Sequence, residues 1–511
     1  MYLKFFLILV PLSLFFQPVM SQEDEEMPFS GSHSSEIDNY FKQQDSLFEK
    51  YISQKNHMLD SFIQQKQIEF DEYRRKKNEE FAAYIGRPWQ PYNQQKGVPA
   101  PKKPDPVKPT ISPQKDYNKP IEIPHGNVIP KISPKKEKPL DIPLTRPSAR
   151  PTSSNISLFY TPVHVSMDCR LKFKMEGVGE KEISQLWTCL SSDDYTPMFE
   201  DCARICQELN LNGWATWNLC KAVGEKLLGK ETNEAVVMQT YLMAELGYDA
   251  QIARVGDRLV TICPADVALC RIDYLLKNNK KYYIWADIPA GSIVYSYQKN
   301  FASATRVMDF SGSTSILLNE QTGEPRTFKS KMDNQPSVTV KVRKSLMECY
   351  KEMPLINDWS FYACQPMDTD IKRQIGPALE NAISGKSERE AANILLHFVQ
   401  TAFNYKTDDD QYGYEKTDFK EEPFFYPACD CEDRSILYAD LVRNFLGLDV
   451  ILLHYPNHLC TAVKFKSQVN GHYVKIDGMQ YVICDPTYIG SSVGSCMPKY
   501  QKEKATIYKT R

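Results

Sequence analysis

Three residues that together can cleave an amide recur late in the chain at equal spacing: Cys431, His458 27 residues on, and Asp485 27 beyond that. A thiol attacks only as thiolate, a histidine can take and return its proton, and a carboxylate can orient the imidazole. Asp430 reads as an N-cap, Glu432 and Asp433 put negative charge in a first turn, and Leu437, Leu441 and Phe445 give a buried face. Gly447 is the expected stop, so a helix is predicted from Asp430 to Gly447 with the Cys431 thiol at its N-terminus. There the dipole and free N–H groups favour a thiolate and can hold an oxyanion. Leu448 to His454 reads as a strand, Pro456-Asn457 as a turn, and His458 opens a second strand. Asn470-Gly471 reads as a hairpin turn, Tyr473 to Ile476 and Gln480 to Cys484 as two more strands, and Asp485-Pro486-Thr487 closes the last.

The neighbouring polar residues have other readings. Cys429, Cys431, His458, Cys460 and Cys484 offer soft metal ligands, but no C-x2-C pair occurs there, so no metal is expected. His454 lies mid-strand in an apolar run and reads as structural, whereas His472 follows the turn glycine and reads as exposed. Asp408-Asp409-Asp410-Gln411-Tyr412-Gly413 lacks the alternating acids and distant glutamate of a calcium loop and reads as a solvated loop.

The strings D-C-E-D-R-S from Asp430, N-H-L-C-T-A-V-K-F from Asn457 and Y-V-I-C-D-P-T-Y from Tyr481 resemble the core of transglutaminase-like proteins. The resemblance is to the bacterial branch of these papain-fold cysteine proteins. It implies that Cys431 is the nucleophile, His458 the general base and acid, and Asp485 the orienting group. It also suggests Gln411 as a side-chain oxyanion donor upstream. No cofactor is implied, and the substrate would be a protein or peptide. Two departures stand out. Cys429 replaces the small residue usual two before the nucleophile, and a bridge to Cys431 would be badly strained. Glu432 replaces the aromatic that follows the cysteine in cross-linking members, which tilts the expectation toward hydrolysis (peptidase or amidase).

A second, silent copy is legible upstream. When Gly247 is aligned with Gly447, Leu246 and Asp249 match Leu446 and Asp449, Cys431 falls on Glu231, and His458 on Arg258. Tyr283-Ile284-Trp285-Ala286-Asp287 then mirrors Tyr481 to Asp485. Such a copy would bind or scaffold. A non-catalytic, peptide-binding pseudoenzyme of the cell envelope is therefore the alternative function.

The rest of the chain reads as delivery. Residues 1–21, with Lys4 and an apolar run from Phe5 to Phe16, read as a secretory signal. That implies export to the periplasm or beyond, with no membrane span after cleavage. Residues 22–86 read as an amphipathic, coiled-coil-like helix able to self-associate. Sixteen prolines between Pro88 and Pro151 mark residues 87–152 as a Pro/Lys-rich, semi-rigid linker. A degenerate transglutaminase-like domain (153–310), a β-rich connection (311–365) and a catalytic domain (366–511) complete an expected α+β protein with tandem papain-like domains. A net charge of −2 gives no reason to expect a nucleic-acid partner. The fourteen cysteines between Cys169 and Cys496 are too irregular to read as a disulfide scaffold.

Overall fold

The computed structural model describes residues 34–100, 117–132, 153–169, 173–332 and 336–510. The signal segment and parts of the proline-rich stretch lie outside these residues. The chain divides into two compact units, residues 1–66 and 67–511.

The first unit contributes the N-terminal part of helix α1 (Ser34–Ile85), where Phe48, Tyr51, Met58 and Phe62 are exposed. The remainder of α1 belongs to the second unit and is packed rather than solvated. Its buried face carries Arg74, Asn78, Phe81, Ala82 and Ile85. Arg74 Nη2 donates to Thr196 Oγ1 (2.5 Å), and Asn78 accepts from the Trp187 indole (2.8 Å) and donates to Glu245. Phe81 packs on Trp187, Tyr297 and Phe301 with ring centroids 5.0–5.5 Å apart. No narrow coiled-coil seam could supply these partners.

The second unit continues with β1 (Gln90–Asn93), β2 (Pro120–Glu122), β3 (His125–Ile129) and the hairpin β4 (Ser153–Leu158) and β5 (Thr161–Ser166). Helices α2 (Glu180–Leu190), α3 (Thr196–Glu208), α4 (Gly213–Leu228) and α5 (Asn233–Glu245) precede β6 (Gln251–Val255), β7 (Arg258–Cys263), β8 (Tyr274–Lys277), β9 (Lys280–Ile284) and β10 (Ile293–Ser296). Of the expected β-rich connection only the hairpin β11 (Arg326–Lys329) and β12 (Ser337–Val340) forms, followed by α6 (Lys344–Lys351) and α7 (Trp359–Cys364). Then come α8 (Thr369–Ile383), α9 (Glu388–Ala402), the short α10 (Asp408–Gln411), α11 (Cys431–Leu446), β13 (Asp449–Tyr455), β14 (His458–Lys464), β15 (Gly471–Ile476), β16 (Met479–Cys484) and β17 (Ala505–Lys509). The protein is thus mixed α+β. Among the described residues, no helix is long and apolar enough to cross a membrane.

Two sheets share one topology. The first runs β10-β6-β7-β9-β8 with β1 beside β10, and the second runs β17-β13-β14-β16-β15 with β3 beside β17 and β2 beside β15. The five strands from the sheet's own hairpins are antiparallel in both cases. One face of each sheet carries a helix, α5 on β6 and β7, α11 on β13 and β14. Alternate residues explain this. Ile252 and Leu259, like Val450, Leu452 and Leu459, join the large core shared with the helices. Their neighbours Ala253 and Val260, or Ile451 and Leu453, form separate small cores behind the sheets.

The proline-rich stretch does more than space domains, because its described parts cover open sheet edges. β1 lies antiparallel to β10, and β2 and β3 lie parallel to β15 and β17. An uncovered edge exposes unpaired N–H and C=O groups, and proline is tolerated only at such margins. Asn470-Gly471 is not the hairpin turn. The β15–β16 turn is Asp477-Gly478, whose φ of 49° and 78° supply the two left-handed residues a type I′ turn needs.

Candidate active site

Local sequence fixes where each candidate side chain starts. Asp430 and Asp433 form a capping box at the head of α11, so Cys431 occupies its first position, and Gly447 (φ 65°) ends it. His458 is the first residue of β14, opposite Tyr455 across the turn. Ser435 Oγ donates to the Leu459 carbonyl (3.0 Å), tying the helix to that strand. Asp485 follows the last residue of β16.

His458 Nε2 and Asp485 Oδ2 are 2.9 Å apart, both groups buried. The other carboxylate oxygen accepts the backbone N–H groups of Thr487 (2.9 Å) and Tyr488 (3.2 Å), which holds the acid in place. The imidazole lies flat on Tyr500, centroids 5.1 Å apart at 5°, and Tyr500 stacks in turn on Tyr455. With Nε2 donating to the carboxylate, Nδ1 is the nitrogen left to accept, and it is buried without a partner. Cys431, Glu432, His458 and Leu459 line one small cleft, together with Trp359, Glu415, His454 and Asn457. The structure therefore joins His458 to Asp485 directly and sets Cys431 in the same cleft as the ring.

The thiol's surroundings differ from the expectation of a preformed thiolate. Cys431 Sγ donates to Glu432 Oε2 at 3.0 Å. Burial, followed by the charges of Glu432 and Asp430, pushes the thiol well above its ordinary range, and only the Leu459 backbone opposes them. Burial and the adjacent carboxyls thus work against the thiolate that a helix start favours. Replacing Glu432 by Gln removes the nearest charge. Iodoacetamide should then alkylate Cys431 faster, by about tenfold for each pKa unit recovered; an unchanged rate would show that Glu432 does not set the thiol.

Asp408 is no part of a solvated loop. It is buried, and its carboxylate meets two groups, Glu415 with Glu432 and Asp430 with Asp433, all with oxygens within 4.8 Å. Burial first and Glu432 second push Asp408 to about 9 and Glu415 to about 8. These oxygens are of the kind that hold a hard divalent cation, and His458, Cys460 and Asp485 also lie close enough to share a metal. The pairing of His458 with Asp485 already accounts for two of the latter.

Several side chains sit elsewhere than the sequence suggested. Gln411 donates its amide nitrogen to the Ala428 carbonyl (2.9 Å) and is not in the cleft lining. His472 is buried, not exposed, with Nδ1 3.1 Å from the Gly494 carbonyl and its ring edge-on to Tyr117. Cys429 is a buried free thiol pushed up to about 12 by burial. His454 reaches the cleft, packed 4.4 Å from Trp359, and burial lowers its pKa. Trp359, Glu415 and Tyr500 were not legible as site residues, since each lies outside the three motifs.

The first sheet carries a matching cleft. Val255 faces Arg258 as Tyr455 faces His458, and Gln251 faces Ile262 as Ile451 faces Ala462. The fourth strand corrects the sequence alignment by one residue. Ile284 faces Ile262 as Ile483 faces Ala462, and the Tyr282 hydroxyl donates to Asp249 as that of Tyr481 donates to Asp449. Ala286, not Asp287, therefore stands where Asp485 does. Glu231, Arg258 and Ala286 line one pocket, so the first sheet has a pocket at the matching place without cysteine, histidine or aspartate at these positions.

Compared with models of protein families, with curated proteins and with solved structures, the chain gave no match.

Proposed function

We propose that this protein is a transglutaminase-like cysteine enzyme that cleaves amide bonds of protein or peptide substrates through a thioester on Cys431. The observation that carries this reading is the His458–Asp485 pair, with Nδ1 unpartnered on a histidine that lines the same cleft as the cysteine. Because the thiol rests protonated, the base acts during attack. His458 Nδ1 takes the proton as Cys431 Sγ bonds to the carbonyl carbon, and the oxyanion is met by first-turn N–H groups of α11. The C–N bond breaks as His458 returns the proton to the leaving amine. Water then attacks the thioester with His458 taking its proton, giving the acid and restoring the thiol. Glu432 beside the sulfur favours water over a bulky amine as acceptor. Tandem papain-like folds, the first without reactive groups, are part of the same reading, supported by the shared strand order.

The buried, carboxylate-bonded thiol favours a second reading, in which both clefts bind peptides without turnover. Intact-mass spectrometry with a library of peptide amides separates the two. The enzyme should gain an acyl mass that maps to Cys431 and is lost in Cys431→Ala. Bound but never acylated peptide would leave only the binding role.

A further inference from the structure

Four buried carboxylates crowd together at the head of α11. Asp408 starts α10, Glu415 lies on the loop that follows, and Asp430 and Glu432 flank Cys431. Oxygens of Asp408, Glu415 and Glu432 lie within 4.8 Å of one another, and an oxygen of Asp430 is as close to Asp408 and Asp433. None of the four is more than 5% exposed, so water and salt do not screen them as they screen surface acids. Their order in the chain fits no single calcium loop, but the fold gathers them from separate segments. The buried cations of the region are engaged elsewhere. Lys416 pairs with Asp418 and Glu422, Lys420 pairs with Asp440, and Arg434 donates to the Gln400 and Phe403 carbonyls. A separate sign is Asp430 Oδ1, which has no hydrogen-bond partner on a residue only 3% exposed. A buried acceptor without a donor is costly, and native proteins rarely keep one unless an ion or water completes it. Asp433 differs, because its two oxygens accept the backbone N–H groups of Asp418 (2.8 Å) and Asp430 (3.1 Å).

From the four converging carboxylates and the orphaned oxygen, we propose that Asp408, Glu415, Asp430 and Glu432 hold a calcium ion. An all-oxygen set selects a hard cation over zinc or copper. Calcium sits about 2.3–2.6 Å from each ligand in a flexible geometry, so oxygens up to about 4.8 Å apart can share one ion. A bare ion at that distance fits among oxygens that admit no water, since a water needs about 2.8 Å. Magnesium fits less well, because it demands octahedral geometry and keeps several waters, for which buried carboxylates leave no room. Glu415 and Glu432 also line the cleft beside Cys431, which gives the ion its way in. Once bound, it would tie α10 and the loop after it to the head of α11. The inference does not depend on turnover at Cys431.

Titration calorimetry of the full chain, stripped with EDTA and then freed of it, tests this with calcium chloride and, for comparison, magnesium chloride. Calcium should bind more tightly than magnesium and should raise the thermal unfolding midpoint. Asp408→Asn and Glu415→Gln keep the side-chain shapes and relieve repulsion between carboxylates, so their metal-free midpoints should equal or exceed the parent's. Each should bind calcium at least about tenfold more weakly, since changing even a residue behind a metal ligand costs that much. Cys431→Ala should bind calcium as the parent does, because the sulfur is not a ligand. Absence of binding at about 10 mM calcium, beyond the weakest protein sites, would overturn the inference. So would parental affinity in both carboxylate variants, tighter binding of magnesium, or loss of binding in Cys431→Ala.

Discussion

Replacing Lys416 by Met is expected to destabilise the protein by about 3–5 kcal/mol, the usual result of removing one partner from a buried ion pair. The Lys416 ammonium pairs with Asp418 and, at 2.6 Å, with Glu422, and it lies over the rings of Tyr412 and Tyr426. Without it two buried carboxylates face Asp433 and Asp408 with no opposing charge. Burial already raises Glu422 to about 8 in the lysine's presence, as it raises Glu415 to about 8 and Asp408 to about 9. These are acids whose folded pKa lies above the unfolded one. Their contribution to stability is therefore full below the ordinary carboxylate range and is lost as pH rises through 8 to 9. Urea unfolding midpoints should accordingly fall between pH 5 and pH 9 in the parent protein. The Lys416→Met deficit should be largest at the alkaline end. A midpoint that rises with pH would mean the cluster is neutralised by something other than protons.

The other large effect concerns chemistry with the fold preserved. Asp485→Asn should slow acylation of Cys431 by about a thousandfold, within the range for losing a positioned base. The carboxylate is what fixes the hydrogen on His458 Nε2 and leaves Nδ1 free to accept. An asparagine can still accept from Thr487 and Tyr488 through its carbonyl oxygen, so the loop after β16 should hold. Its amide, however, can turn its N–H₂ toward Nε2, which favours the tautomer with hydrogen on Nδ1 and removes the base. Burst kinetics with an activated ester and unfolding by urea read the two properties separately. A slow burst in a protein of unchanged midpoint is the expected pair of results. Loss of both together would make Asp485 a structural residue.

The C-terminal half, from Asp430 onward, was the more legible part of the sequence. α11 was bracketed by Asp430 and Gly447, and β13 to β16 by short apolar alternations, because capping and period-two patterns are local signals. The hairpin turn was misplaced because Asn470-Gly471 and Asp477-Gly478 carry equivalent turn chemistry. Only the pairing of β14 with β16 decides between them. Gly471 instead has a φ of 121° and sits against Gly494, where any Cβ would lie 2.4 Å from a backbone carbon. The edge strands β1 to β3 were hidden by their prolines, since nothing in a short polar stretch tells which distant strand it will cover. The one-residue slip in the upstream copy has the same origin. Tyr282 and Tyr283 are adjacent tyrosines, and register across the sheet, not spacing along the chain, shows which of them meets Asp249. Burial of Asp408 and His472 likewise depends on partners far away in sequence.

Acylation by an activated ester at neutral pH followed by peptide mapping asks the deciding question of the sulfur itself. If imidazole and carboxylate serve this thiol, the acyl group maps to Cys431 although the thiol rests protonated, and His458→Ala abolishes it. A Cys431 that stays unacylated, or that is acylated equally fast without His458, contradicts the account.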